Sequence, residues 1–155
     1  MSIPASIRII HPDAFDPATA QTAGSQRLAA VTRASGITTG LWGGLFSMAP
    51  RARIDVHHHG AQETIAYVLE GVSHLRWGPH GEFSAIARAG DFLHIPPWLP
   101  HMETNPSFDT PVRWVVIRST PEPIVVNLPA DSWPTNSWDE RVGVEPGRAA
   151  VGIRR

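Results

Sequence analysis

Fifteen prolines and thirteen glycines punctuate the 155 residues of this chain. Proline stands at about twice its usual ~5%, and each one fixes φ and removes a backbone donor. Long helices do not survive such punctuation, whereas short strands joined by turns do. Strand-like runs rich in β-branched and aromatic residues occur at 40–48, 53–59, 64–70, 73–77, 82–87, 91–95, 112–118 and 124–127. Turn chemistry separates them, at Ala49-Pro50, Glu70-Gly71, Gly78-Pro79, Ala89-Gly90, Pro96-Pro97 and Asn105-Pro106. Eight strands at this spacing predict an all-β barrel or sandwich over residues 40–127. The one helix candidate is 18–30, with weak apolar periodicity, inside an expected N-terminal arm of residues 1–39. Residues 128–155 show no alternation and carry Trp133 and Trp138. They are expected to form an irregular C-terminal arm packed on the barrel or on a second subunit.

Thirteen basic residues against fourteen acidic ones give a net charge of −1, with no clustered Lys or Arg. That balance argues against a nucleic-acid stripe or a polybasic membrane segment. The chain has no cysteine, which excludes disulfides, thiolate nucleophiles and thiolate metal sites. The first ten residues hold one basic residue and only a short apolar run, so no targeting signal or membrane span is read there. A cytoplasmic protein is the expectation.

Chemistry concentrates in the run His57-His58-His59. Residues two apart on a strand share a face, so His57 and His59 converge and His58 points away. Paired imidazoles are costly to bury unless charge or metal satisfies their nitrogens. Glu63 follows across the small Gly60-Ala61 and could add a carboxylate. An N,N,O set without sulfur suits Fe, Mn, Ni, Zn or Cu. Further on, Gly90 to Asn105 contains a tight turn, a short strand, a Pro-Pro bend and then His101.

These two stretches resemble the paired motifs of a small cupin, G-x5-H-x-H-x3,4-E-x6-G and G-x5-P-x-G-x2-H-x3-N. His57-x-His59-x3-Glu63, closing at Tyr67-Val68-Leu69-Glu70-Gly71, is similar to the first; Gly90-x5-Pro96-x4-His101-x3-Asn105 is similar to the second. The chain departs from the pattern at three places. Arg51 and Trp98 stand where the family has glycines, and seven residues rather than six separate Glu63 from Gly71. Counting back from Gly71 places Thr64 at the usual carboxylate position, and Gln62 shares its strand parity as a neutral alternative. Glu63 is the expected fourth ligand, because its spacing from His59 fits and its charge offsets that of the ion.

The resemblance implies a double-stranded β-helix, or jelly-roll barrel, enclosing one divalent ion per chain (Fe, Mn, Ni or Zn) on His57, His59, Glu63 and His101. Two coordination positions would stay open for a small metal-chelating substrate. Glu103 shares the inward parity of His101 and is a candidate general base or hydrogen-bond partner of a ligating histidine. Trp42, Tyr67, His94 and Trp114 are candidate pocket residues, and Arg76 and Arg113 are expected to face solvent, with bidentate binding of a substrate carboxylate as the alternative. Oxidative cleavage with O2 is the favoured chemistry; a metal-dependent isomerase or lyase, and a non-catalytic binding protein, are the alternatives. A homodimer is expected, with Ile7, Ile9, Trp133 and Trp138 as candidate interface residues.

Overall fold

The computed structural model describes residues 6–37, 39–129, 131–134 and 145–146. Two sheets face one another. The first runs β1-β2-β9-β4-β7, from β1 (Ser25–Val31), β2 (Trp42–Met48), β9 (Val112–Arg118), β4 (Thr64–Glu70) and β7 (Phe92–Ile95). The second runs β10-β3-β8-β5-β6, from β10 (Val126–Asn127), β3 (Ala52–His58), β8 (His101–Thr104), β5 (Val72–Trp77) and β6 (Phe83–Arg88). A short β11 (Glu145–Pro146) lies parallel beside β3, and every other pairing is antiparallel. This is the jelly roll that the strand runs imply.

Alternation explains the core. Phe46, Met48, Ala66, Val68, Val112, Trp114 and Val116 point inward from the first sheet and meet Ala52, Ile54, Leu75 and Ala87 from the second. Gly71 turns the chain from β4 into β5 at φ 84, where an added Cβ would stand 2.3 Å from the Pro111 carbonyl oxygen. Arg51 and Trp98 occupy the two family glycine positions yet keep φ values of 60 and 62. The backbone there retains the left-handed turn without the residue that adopts it at least cost.

The helix candidate at 18–30 is overturned, since Ser25–Val31 is a strand paired along β2. Its weak periodicity belonged to an edge strand whose inward residues include a charged one, Arg27. The interface expectation also changes. Trp133 is buried against Val56 and Met102 of its own barrel, and its Nε1 donates to the Pro79 carbonyl at 3.1 Å. Ile7 and Ile9 are 94% and 74% exposed, and Trp138 lies outside the described residues. Among the described residues, no helix is long and apolar enough to cross a membrane.

The pairing of β3 with β8 contains the irregularity that shapes the site. Ile54 pairs with Glu103 and His57 with His101, so three steps along β3 match two along β8. Such a bulge switches the face presented by the longer strand. Ile54 therefore points into the main core and Val56 onto the outer cluster with Trp133, while His57 turns inward again opposite His101.

Candidate metal centre

Three histidines meet between the sheets. His57 comes from β3, His59 from the residue just past its end, and His101 from the start of β8. All three are buried, and one ring nitrogen from each lies within 4.8 Å of the others. His58 is only half-buried; its Nδ1 accepts from the Gly60 amide at 3.0 Å, and its ring faces Trp98.

The far nitrogen of every ring is held by the main chain. Nδ1 of His57 donates to the Asp55 carbonyl at 2.9 Å, that of His59 to Ile124 at 2.8 Å, and that of His101 to Leu99 at 2.8 Å. A carbonyl oxygen carries no proton, so Nδ1 must supply it; in the neutral ring this leaves Nε2 as a bare lone pair. Burial, reinforced by His101, His59 and Arg27, pushes His57 well below its ordinary value. Burial and the nearby Arg118 push His59 down to about 2.

The carboxylate of Glu103 lies beside two of the rings. It is 3% exposed, with Oε1 3.6 Å from His101 Nε2 and Oε2 3.9 Å from His57 Nε2. His57 Nε2, His101 Nε2 and Glu103 Oε2 are all buried without a hydrogen-bond partner. Orphaned buried atoms of this kind demand an explanation. Three lone-pair nitrogens around a carboxylate fit a divalent cation of borderline hardness.

Residues 44–118 match the family model of the cupin domain. They form a cupin domain. The polyketide cyclase RemF from Streptomyces resistomycificus superposes with a TM-score of 0.65 at 20% identity, covering 83% of this chain and 91% of that one. Two mutants of Bacillus subtilis oxalate decarboxylase OxdC give TM-scores of 0.61 and 0.62 at 19% and 18% identity. They cover 70% and 71% of this chain, which spans only 29% of theirs. At such identities the likeness is one of fold. No curated protein sequence gives a significant match.

Within the cupin domain the other expected residues are distributed unevenly. Glu63, the expected fourth ligand, stands apart from the cluster: its Oε1 is 2.6 Å from His94 Nε2, and both side chains are more than half exposed. The reason is parity, because Thr64 opens β4 facing inward and Glu63 therefore turns out. Thr64, at the family's usual carboxylate position, is buried with an unpartnered hydroxyl. Gln62 is fully buried but committed elsewhere. Its Nε2 donates to Thr120 Oγ1 and the Glu122 carbonyl, and its Oε1 accepts from the Ile124 amide.

Trp114 lines a small cavity beside His59, whereas Trp42 is packed in the core. Tyr67 points to the outer face, against Phe92. His94 borders a separate cleft of about 470 Å³ that reaches His101. Arg76, expected in solvent, is buried with Nε donating to the Gly81 carbonyl, and Arg113 pairs with Glu70 at 3.3 Å. Two residues at the site escaped the sequence reading, Arg27 and Arg118. Arg118 carried a signal: it continues the inward parity of Val112, Trp114 and Val116.

Proposed function

We propose that this cupin domain is a mononuclear metal-dependent enzyme acting on a small, metal-chelating organic substrate. The observation that carries the reading is the set of unpartnered acceptors, His57 Nε2, His101 Nε2 and Glu103 Oε2, gathered with His59 in a buried space. His57, His59 and His101 would hold the ion, with Glu103 as its carboxylate partner in place of Glu63. A divalent ion there supplies Lewis acidity to two substrate oxygens and, as Fe(II), reaction with O2. The chain's own part is to hold three rings in one tautomer and to exclude water. Oxidative cleavage is the first chemistry to test. Elemental analysis of protein purified without added metal should find close to one ion per chain. After Fe(II) loading, oxygen uptake should rise with a diketone, phenol or carboxylate. Protein that takes up no stoichiometric divalent ion sinks the reading.

Glu103 favours a second chemistry, isomerisation or elimination. Its carboxylate is buried beside the centre with one oxygen free of hydrogen bonds, as a general base requires. Metal-dependent turnover without oxygen uptake selects this reading. Ligand binding without turnover selects a non-catalytic binding protein.

The protein is proposed to act as a homodimer through the outer face of the first sheet. Ile65, Leu69 and Ile117 are 49%, 48% and 41% exposed there, beside Phe92 at 75%. An apolar sheet face suits a self-complementary twofold contact with a second copy.

A further inference from the structure

β6 and β7 flank one side of the barrel without pairing. A tight turn joins them, with Gly90 at φ 98 and the Asp91 amide donating to the Arg88 carbonyl at 2.9 Å. From that turn they part to opposite sheets. β6 pairs β5 and β7 pairs β4, and among the described residues no ladder links the two. The cleft of about 470 Å³ lies between them.

Side-chain size explains the gap. Residues directly opposite on paired strands share a face. Ala85 stands opposite Leu75, and Leu93 and Ile95 stand opposite Ala66 and Thr64, so all three point between the sheets. Sheets about 10 Å apart fill that space with large interdigitated side chains. β6 offers only alanines there, at 85 and 87. Ala85 is consequently exposed to solvent although it faces inward.

The walls are apolar and partly aromatic. Leu75, Leu93, Ile95 and Leu99 line them. Trp77 stands at the histidine end, opposite His101 in the β5–β8 ladder, with its ring stacked on Phe83 at 6.1 Å. The charged neighbours are engaged: Asp91 Oδ2 accepts from the Arg88 amide at 2.8 Å, and Arg76 Nε donates to the Gly81 carbonyl at 3.1 Å. A cleft of this size and lining has the character of a small-molecule pocket. A slot between two parted strands admits a flat ring, and Trp77 offers it an aromatic neighbour.

Ile95 stands at the inner end. It borders this cleft and also a cavity of about 20 Å³ shared with His59, Thr64 and Glu103. Its buried side chain therefore separates the outer cleft from the histidine centre.

We propose that the cleft between β6 and β7 takes the flat, uncharged aromatic body of the substrate, and that Ile95 limits the bulk that can flank the end reaching the centre. The proposal deepens the metal-enzyme reading and rests on it for the chelating end alone. The cleft is present whether or not an ion is bound.

Calorimetric titration of the full chain, with and without Zn(II), tests it with catechol and 2,3-dihydroxynaphthalene. The two carry the same chelating pair and differ by one fused ring. In the wild type the fused ring should tighten the Kd by about tenfold, the effect of about 1.4 kcal/mol, and Zn(II) should tighten both diols. Ala85→Trp should bring the two diols to within about twofold, because an indole takes the place of the ring. Ala85→Ser, which adds little bulk, should keep the advantage. Wild type should bind 3,6-dimethylcatechol about tenfold more weakly than catechol, and Ile95→Ala should remove that difference. Should Ile95→Ala fail to fold, Ile95→Val should move the ratio in the same direction by less. Equal affinities for catechol and the naphthalene diol in the wild type, or an advantage that survives Ala85→Trp, overturn the cleft while leaving the metal centre standing. Exclusion of the dimethyl probe that persists in the Ile95 variants overturns the role of Ile95. A ring advantage in protein that binds no Zn(II) has the opposite meaning: the cleft stands and the metal-centre reading falls.

Discussion

Glu103 reaches across from β8 to place its Oε2 3.9 Å from His57 Nε2, and neither atom has a hydrogen-bond partner. The family pattern offers its carboxylate from β4, where this chain has Thr64 facing inward and Glu63 facing out. In the proposed centre the acid stands on the second sheet, and this sets the first prediction. Glu103→Gln should weaken Zn(II) binding by about 10–100-fold, the range seen when a carboxylate beside metal ligands is lost. Glu63→Gln should leave it within about twofold. Calorimetric titration measures both, and the reverse ranking returns the role to Glu63.

Gln62 fastens the segment that holds His59 in place. Its amide bonds Thr120, Glu122 and Ile124, and the Ile124 carbonyl accepts from both His59 Nδ1 and Arg118 Nη1. Gln62→Ala removes three part-buried hydrogen bonds, each worth about 0.5–1.5 kcal/mol. Denaturation in urea should show a loss of that order, with metal affinity falling in parallel. A variant that loses stability yet binds Zn(II) as tightly as wild type would separate Gln62 from the site.

Acid should unfold the metal-free protein early. His57 and His59 are held neutral when folded, with values below the 6.5 of a free histidine. The unfolded chain binds these two protons once pH drops below about 6.5, and the folded chain refuses them. Stability is therefore complete above that pH and declines as pH falls, by about 1.4 kcal/mol per unit for each histidine. Urea midpoints at pH 7.5, 6.5 and 5.5 test the slope. A flat profile down to pH 5.5 contradicts the buried neutral pair.

Trp98 carries a bulky side chain at a left-handed φ of 62, and that side chain is largely exposed. Trp98→Gly removes a conformational cost of about 1–2 kcal/mol and adds about 0.5–1 kcal/mol of unfolded-state entropy. The melting temperature should stay level or rise slightly. A clear fall would mean that the contact with His58 contributes packing that the exposure does not suggest.

Light scattering should return a mass near twice the 16.9 kDa of one chain. Ile117→Glu, on the exposed face of the first sheet, should shift it toward a single chain. Monomer at micromolar concentration in the wild type removes the dimer.

The sequence carried the barrel plainly, because residues 64–70 and 112–118 alternate inward side chains at a period of two. It concealed β1, whose Gln26 and Arg27 break the apolar pattern that marks a strand. Parity along β8 already linked Glu103 to His101. Spacing alone could not orient Glu63, since the turn at Gly60, with φ 55, resets the alternation before β4 begins. A charged residue at a strand end, as Arg118 is, ordinarily reads as solvated, and only the barrel closing over it reveals the burial.

The acceptors that orient the three imidazoles are the carbonyls of Asp55, Leu99 and Ile124, main-chain atoms in every case. No change of side chain at those positions deletes them. The aim of the rings is inherited with the course of the backbone, so it tolerates genetic drift that would erase a carboxylate or amide in the same role. Cavity walls such as Thr64, Ile95 and Trp114 can then be exchanged for other reactants while the ring geometry stays put. A laboratory seeking new activities from this chain can randomise those walls first.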